Sequence, residues 1–192
     1  GFPKFIGEHI CLDNCWETEP TPMWFAPVLM CQRGKNAVVN IEGYEDAVKC
    51  ARFFKEHADK IEGIIVVLPN FGDELGVVQT LDMARLNVPV MVQACNDNLD
   101  KVGVFSRRDA FCGKFSVCNN LYQYDIPFTD TTSHTCDIRS REFRDDLDRF
   151  GRICRTVKGL THARIGAIGE RPAAFKTVRY SEKLLKSAGI TI

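Results

Sequence analysis

The chain of 192 residues has no excess of either charge: 25 Lys and Arg stand against 25 Asp and Glu, for a formal net charge of zero. Non-specific nucleic-acid binding depends on neutralising phosphates and leaves a basic footprint. The balance here argues against that partner. Long hydrophobic runs are also missing. A membrane-crossing helix needs about 20 consecutive apolar residues, whereas the longest clean run, Ile64-Ile-Val-Val-Leu68, has the length of a strand. No basic-then-apolar leader opens the chain, although Gly1 stands where an initiator methionine would, so that absence carries little weight.

Several chemical signatures are absent as well. The nine cysteines (Cys11, Cys15, Cys31, Cys50, Cys95, Cys112, Cys118, Cys136 and Cys154) include no C-x₂-C pair, and Cys11-x₃-Cys15 has no matching downstream pair for a zinc site. Their odd number and scatter through helix-like and strand-like segments do not suit a secreted disulfide framework. Free, mostly buried thiols in a reducing cytoplasm are the expectation. The four histidines show no i, i+4 pairing. Gly166-x-x-Gly169 lies between a strand and a helix but lacks the middle glycine of the dinucleotide fingerprint, and Glu170 would set a carboxylate against the phosphates.

What is present reads as α/β. Residues 1–34 are irregular, with Pro20, Pro22 and Pro27 opposing a long helix; Val38-Val39 and Ile41 end a short extended piece. Ala47, Val48, Ala51, Phe54 and Ala58 follow helical spacing. The run 64–68 shows no alternation, which marks a strand covered on both faces, as in a parallel sheet. A helix carrying Leu75, Val78, Leu81 and Met83 runs to Asn87, and Val88-Pro-Val-Met-Val92 is a second buried strand. Residues 109–124 are expected as a helix with Phe111, Phe115, Cys118 and Tyr122 on one side. Ser140 caps an amphipathic helix bearing Phe143, Leu147, Phe150 and Cys154. The pattern predicts a doubly wound, parallel-sheet, Rossmann-like domain over residues 1–158.

At Lys158-Gly159 the register changes. A strand over 163–168, a loop over 169–175 and a helix from Thr177 to Ala188, with Val178, Ser181, Leu184, Leu185 and Ala188 inward and Gly189 beyond its end, read as the start of a second, similar domain over 159–192. Ile190-Thr-Ile192 opens one more strand, so Ile192 is expected to be a cut and not a natural terminus.

In open α/β folds, ligands bind beyond the carboxyl ends of the strands. Three loops there carry candidate groups. Phe71, Asp73 and Glu74 follow the first strand, where Asp73 either meets sugar hydroxyls or caps the next helix. Gln93, Asn96, Asp97 and Asn98 follow the next; amides offer both donor and acceptor to a polyol. Arg171 follows the strand at 163–168 and can make a bidentate pair with a ligand or pair with Glu170. Cys95 has no activating histidine or helix start beside it, which disfavours a nucleophile, and His134 stands without a defined partner.

The runs Arg108-Asp-Ala-Phe-Cys-Gly-Lys-Phe-Ser-Val-Cys-Asn-Asn-Leu121, Ile126-Pro-Phe-Thr129, Ala163-Arg-Ile-Gly-Ala-Ile-Gly-Glu-Arg-Pro-Ala-Ala-Phe175 and Thr177-Val-Arg-Tyr-Ser-Glu-Lys-Leu-Leu185 resemble the L-fucose/L-arabinose isomerase family, closest to its isomerase-like branch. The resemblance is strong from about residue 62 onward and poor over the first forty. It implies the amino-terminal part of an aldose–ketose isomerase, an intramolecular oxidoreductase. A divalent cation, usually manganese, would be held by carboxylates and a histidine later in the chain, with no metal ligand and no catalytic residue inside 1–192. It further implies a homo-oligomer, trimer or hexamer, in which this part walls a sugar pocket. Arg171 and Phe175 are the leading wall candidates, with Phe71, Asp73 and Asn96 behind them, and Trp16 and Trp24 serve either as stacking platforms or, the commoner use of tryptophan, in core or interface packing. The alternative is a non-catalytic carbohydrate-binding or sensing protein, because open α/β folds host many functions.

Overall fold

The computed structural model describes residues 28–31, 37–41, 43–104, 106–161, 163–166, 174 and 180–192. Strands β1 (Val28–Cys31) and β2 (Ala37–Asn40) precede helix α1 (Tyr44–Glu56). Strand β3 (Ile64–Leu68), helix α2 (Glu74–Ala84) and strand β4 (Val90–Ala94) follow, then helix α3 (Ala110–Gln123) and the two-residue strand β5 (Thr129–Asp130). Helices α4 (Arg141–Thr161) and α5 (Glu182–Ser187) follow, and a single 3-10 turn (Ala58–Lys60) links α1 to β3.

One five-stranded sheet has the order β2-β1-β3-β4-β5. The β3-β4-β5 half is parallel, with Ile64 opposite Val90 through Leu68 opposite Ala94, and Met91 opposite Thr129. This is the Rossmann-like core expected from the unbroken apolar runs. The other half adds an antiparallel ribbon: β1 pairs with both β2 and β3, so the whole sheet is mixed. Strand β1 falls in a stretch expected to be irregular, where Pro27 ends directly before Val28.

Period-two alternation sends the side chains of β3 and β4 into two cores. Ile64, Val66, Leu68, Val90, Val92 and Ala94 pack with Ala47, Cys50, Ala51 and Phe54 of α1, Val77, Val78, Leu81 and Ala84 of α2, and Ala110, Val117 and Leu121 of α3. On the other face, Met91 and Cys95 pack with Phe143, Leu147, Phe150 and Cys154 of α4, as the i, i+4, i+7, i+11 spacing requires. Ser140 Oγ accepts the Phe143 N–H at 3.1 Å and caps α4, which runs on through Lys158 and Gly159 to Thr161.

Three elements differ from expectation in instructive ways. Strand β4 begins at Val90 because Pro89 has no N–H to give the ladder, and this draws Gln93 into the strand, fully buried. Helix α2 ends at Ala84, before Asn87, since Arg85 turns left-handed at φ 48°. Helix α3 is rotated: Ala110, Gly113, Lys114, Val117 and Leu121 face inward, while Phe111, Phe115 and Tyr122 are exposed. Past Thr161, Arg164 bridges Thr191 in parallel. Helix α5 closes through Gly189 at φ +82°, with the Ile190 N–H on Leu185 O and the Gly189 N–H on Lys186 O, the paired bonds of a glycine-terminated helix end. It is shorter than expected, and Leu184 is exposed.

Cys50, Cys95, Cys112, Cys118, Cys136 and Cys154 are free, and of these six only Cys112 is exposed. Burial pushes the thiols up from an ordinary 9.0, to about 12 for Cys50 and Cys95 and about 11 for Cys118 and Cys154. A folded state that holds its thiol protons more tightly than the unfolded chain loses stability wherever the unfolded thiols ionise first. Stability should therefore be insensitive to these groups below pH 9 and fall between pH 9 and 12 by roughly 1 kcal/mol per pH unit for each titrating thiol. Urea unfolding across that range checks this, and a maleimide at pH 7.5 should label Cys112 well before Cys50, Cys95 or Cys154.

Candidate functional site

The carboxyl ends of β3, β4 and β5 bring together the loops 69–73, 95–109 and 131–140. The first is held by two bonds to one N–H: Phe71 donates to Arg108 O at 2.9 Å and to Asn70 Oδ1 at 2.8 Å. Helix α3 presses directly on it. A Cβ on Gly113 would lie 3.0 Å from Phe71 Cα and 3.2 Å from Asn70 O, so any side chain there would push the loop backbone back by a few tenths of an ångström. In the second loop, Asp97 Oδ1 accepts the Ala110 N–H at 3.0 Å. That bond caps α3 from outside, since Asp109 at φ 55° makes no side-chain cap of its own.

The third loop is fastened by buried charge. Lys114, 4 % exposed, projects from α3 and donates to Thr131 Oγ1 at 2.8 Å and His134 O at 2.9 Å, and pairs with the Asp130 carboxylate. All three ammonium protons are thereby used. Asp146, 2 % exposed, reaches the same loop from α4: Oδ2 accepts the Thr132 N–H at 2.8 Å and Oδ1 the Thr132 hydroxyl at 2.7 Å. Arg149 Nη2 adds bonds to Asp146 Oδ1 at 2.9 Å and Asp130 O at 3.2 Å. Helices on opposite faces of the sheet thus meet on one loop.

Between the second and third loops lies a cavity of about 240 Å³ lined by Cys95, Asn96, Arg108, Asp137, Ile138 and Arg139. Its wall continues the sheet, because the Cys136 N–H donates to Ala94 O at 2.9 Å. Beneath it Gln93 Nε2 donates to Cys136 O at 2.8 Å, which makes Gln93 a core fastener and not a loop ligand. The Cys95 thiol, pushed to about 12 by burial that Gln93 and Arg108 offset only in part, is not a nucleophile at neutral pH.

Of the residues singled out from sequence, Asn96 is exposed and lines the cavity, and Phe71 is half-buried and bonded to cavity-lining Arg108. Asp73 is the N-cap of α2, its Oδ1 accepting the Leu75 and Gly76 N–H groups at 2.9 and 3.1 Å. Arg171, Phe175, Trp16 and Trp24 lie outside the described residues. His134 is exposed against Phe111, ring centroids 5.7 Å apart. Lys114, Asp146, Arg108 and Arg139 escaped the sequence reading. The one signal for Lys114 was its place between Gly113 and Val117 on the face that turns out to be inward. No group of three or more His, Cys, Asp or Glu residues among those described fits a metal ion, so no step of chemistry is assigned through one here.

A parallel α/β core flanked by helices, with polar loops gathered at its strand ends, defines a Rossmann-like α/β domain. The chain matches the family model described as fucose/sulfoquinovose isomerase, N-terminal domain, over residues 25–161, and it belongs to that family. No curated protein and no solved structure matches it. No helix among the described residues is long and apolar enough to cross a membrane.

Replacing Lys114 with Met should release the third loop and lower stability by about 2–3 kcal/mol, the cost of leaving buried acceptors unpaired. Asp146→Ala should cost a similar amount and Asp146→Asn less, because the amide keeps one acceptor. Urea midpoints measure all three, and amide exchange should accelerate at Thr131 and Thr132 before the strands.

Proposed function

We propose that this chain is the amino-terminal part of a metal-dependent aldose–ketose sugar isomerase, walling the sugar pocket and contributing to oligomer contacts. Membership of the isomerase family carries the reading, and the family description names fucose and sulfoquinovose. The chain's own residues would bind and orient. Asn96 offers both donor and acceptor to hydroxyl groups, Phe71 an apolar face, and Asp73 one oxygen beyond its cap. Arg171 and Phe175 join them as wall candidates from their position in sequence. The divalent cation, manganese by resemblance, would be held outside residues 1–192 and would polarise the sugar oxygens while carboxylates there move the proton. The six free cysteines suit a reducing cytoplasm.

Helix α3 supports homo-oligomer formation. Its single charged residue, Lys114, is buried, so a 14-residue surface helix shows solvent no charge at all. It shows Phe111 at 42 %, Phe115 at 70 % and Tyr122 at 78 % exposure instead. Aromatic enrichment with charge depletion marks the centre of an interface.

The test is a panel of aldoses incubated with the full-length protein and Mn²⁺. Ketose should form, and chelation should abolish it. Asn96→Ala and Phe71→Ala should raise KM roughly tenfold with kcat changed less, as expected for groups that hold the sugar without touching the reacting carbons. Asp73→Ser should retain the helix cap and, by removing the second oxygen, raise KM with kcat changed less. Sugar binding without any interconversion across the panel would shift the reading to a carbohydrate-binding or sensing protein.

A further inference from the structure

We propose that the groove at the amino ends of β3, β4 and β5 binds a small organic cation. The ligand carries one ammonium on an apolar body, and the charge meets Asp125 at the end of α3. This site owes nothing to the sugar reading, since it lies at the opposite end of the sheet from the cavity. Two connections wall it, one from α2 to β4 and one from α3 to β5, and Ile153 and Val157 of α4 close it. Leu86, Val88, Ile126 and Phe128 are half-buried there and give it an apolar floor. Its volume of about 740 Å³ lies in the range of small-molecule sites, roughly 300–1,000 Å³.

Charge at the end of α3 selects the ligand. A helix leaves partial negative charge at its carboxyl end, which a basic residue offsets. Helices α1, α4 and α5 each carry one in the last turn: Lys55, Lys158 and Lys186. Helices α2 and α3, which both end on the groove, carry none there. At α2 the next residue makes good the lack: Arg85 donates to Asp82 O at 3.2 Å and pairs with the Asp82 carboxylate at 3.5 Å. At α3 the next residues are Tyr124 and Asp125, so negative charge is added where positive charge is favoured. The backbone disfavours an aspartate as well. The Ile126 N–H donates to Leu121 O at 2.9 Å and the Asp125 N–H to Tyr122 O at 3.2 Å. These paired bonds put a left-handed residue, most often glycine, at the position of Asp125, whose φ is 53°. Its carboxylate is exposed and makes no hydrogen bond or ion pair among the described residues. The charged lining is thus Asp82 and Asp125 against Arg85, one negative charge in excess. A side chain that serves neither its helix nor its turn, at the rim of an apolar groove, is matched by a cation with hydrocarbon attached.

The experiment is a titration of the isotopically labelled chain, read from amide shifts at Leu86, Asn87, Asp125 and Ile126. The probes are 2-phenylethylammonium, its neutral isostere 2-phenylethanol, phenylacetate and methylammonium. The aromatic amine should bind about tenfold tighter than the alcohol at low salt, the combined return of one exposed ion pair and one helix end. In about 0.5 M NaCl it should fall towards the alcohol. Phenylacetate should bind more weakly than the alcohol, and methylammonium, which has no apolar body, should cause no shift. Asp125→Asn keeps a residue that tolerates the left-handed turn and should bring the amine down to the alcohol, whose own affinity stays unchanged. Asp125→Gly should do the same with no loss in the urea midpoint, which a carboxylate needed by the fold would not allow. Equal affinity for amine and alcohol would leave a merely apolar groove and overturn the proposal, as would a preference that survives both variants. Absence of any shift at the four amides would also overturn it. So would self-association that displaces the amine as chain concentration rises, because a second copy would then be the occupant.

Discussion

The loop after β5 depends on one ammonium group. Strand β5 has only two residues on the ladder, too few backbone bonds to fix a sheet edge, and side-chain bonds take their place. Lys114 reaches it from α3 and Asp146 from α4. Because those helices belong to separate cores on the two faces of the sheet, the loop acts as a tie between the two layers. Buried charge is a poor source of net stability but a strong source of geometric specificity when every lone pair and proton is matched. Here the match is close to complete, and the wall of the cavity inherits its position from it.

That tie explains why the two ends of the sheet differ. At the carboxyl end, backbone groups of the loops and of the helix start are bound by Asn70, Asp97, Lys114 and Asp146, so the loops are polar and held in place. At the amino end, Leu86, Val88, Pro89, Ile126, Pro127 and Phe128 line the apolar part of a broader groove of about 740 Å³. A site that must hold hydroxyl groups in register needs the first kind of end, since groups on ordered supports lose less entropy on binding.

The parallel half of the sheet was legible because buried strands write themselves as unbroken apolar runs, and Phe143, Leu147, Phe150 and Cys154 declared α4 by spacing. The antiparallel ribbon was not. Four-residue strands leave too little pattern to separate from loop, and Pro27 beside Val28 pointed away from order. The helix cap was legible at Asp73, whose type and place before α2 allowed it as one of two roles. Asn96 was legible as a polar group at a strand end. The anchoring lysine was not, since a charge inside a helix reads as solvated unless its partners are known, and those partners lie 17 and 20 residues away. Arg108 and Arg139 were hidden for the same reason: each sits ahead of a helix, and only the fold brings those two helix entrances to one cavity.

Helix α3 shows how a correct periodicity can be assigned to the wrong side. Phe111, Phe115, Cys118 and Tyr122 form a stripe as apolar as any in the chain, and the inward stripe contains glycine and lysine, so hydrophobicity favours the outer face. Two constraints reverse the choice. Gly113 faces the Asn70–Phe71 loop, where a side chain would crowd its backbone, and Lys114 faces Thr131 and Asp130, which it pairs at the end of β5. With both satisfied, the aromatic stripe has nowhere to go but outward. A helix apolar on both sides is one normally covered on both. The outward face of α3 is therefore the physical argument for a second covering surface, and it arises from the same residue that holds the site.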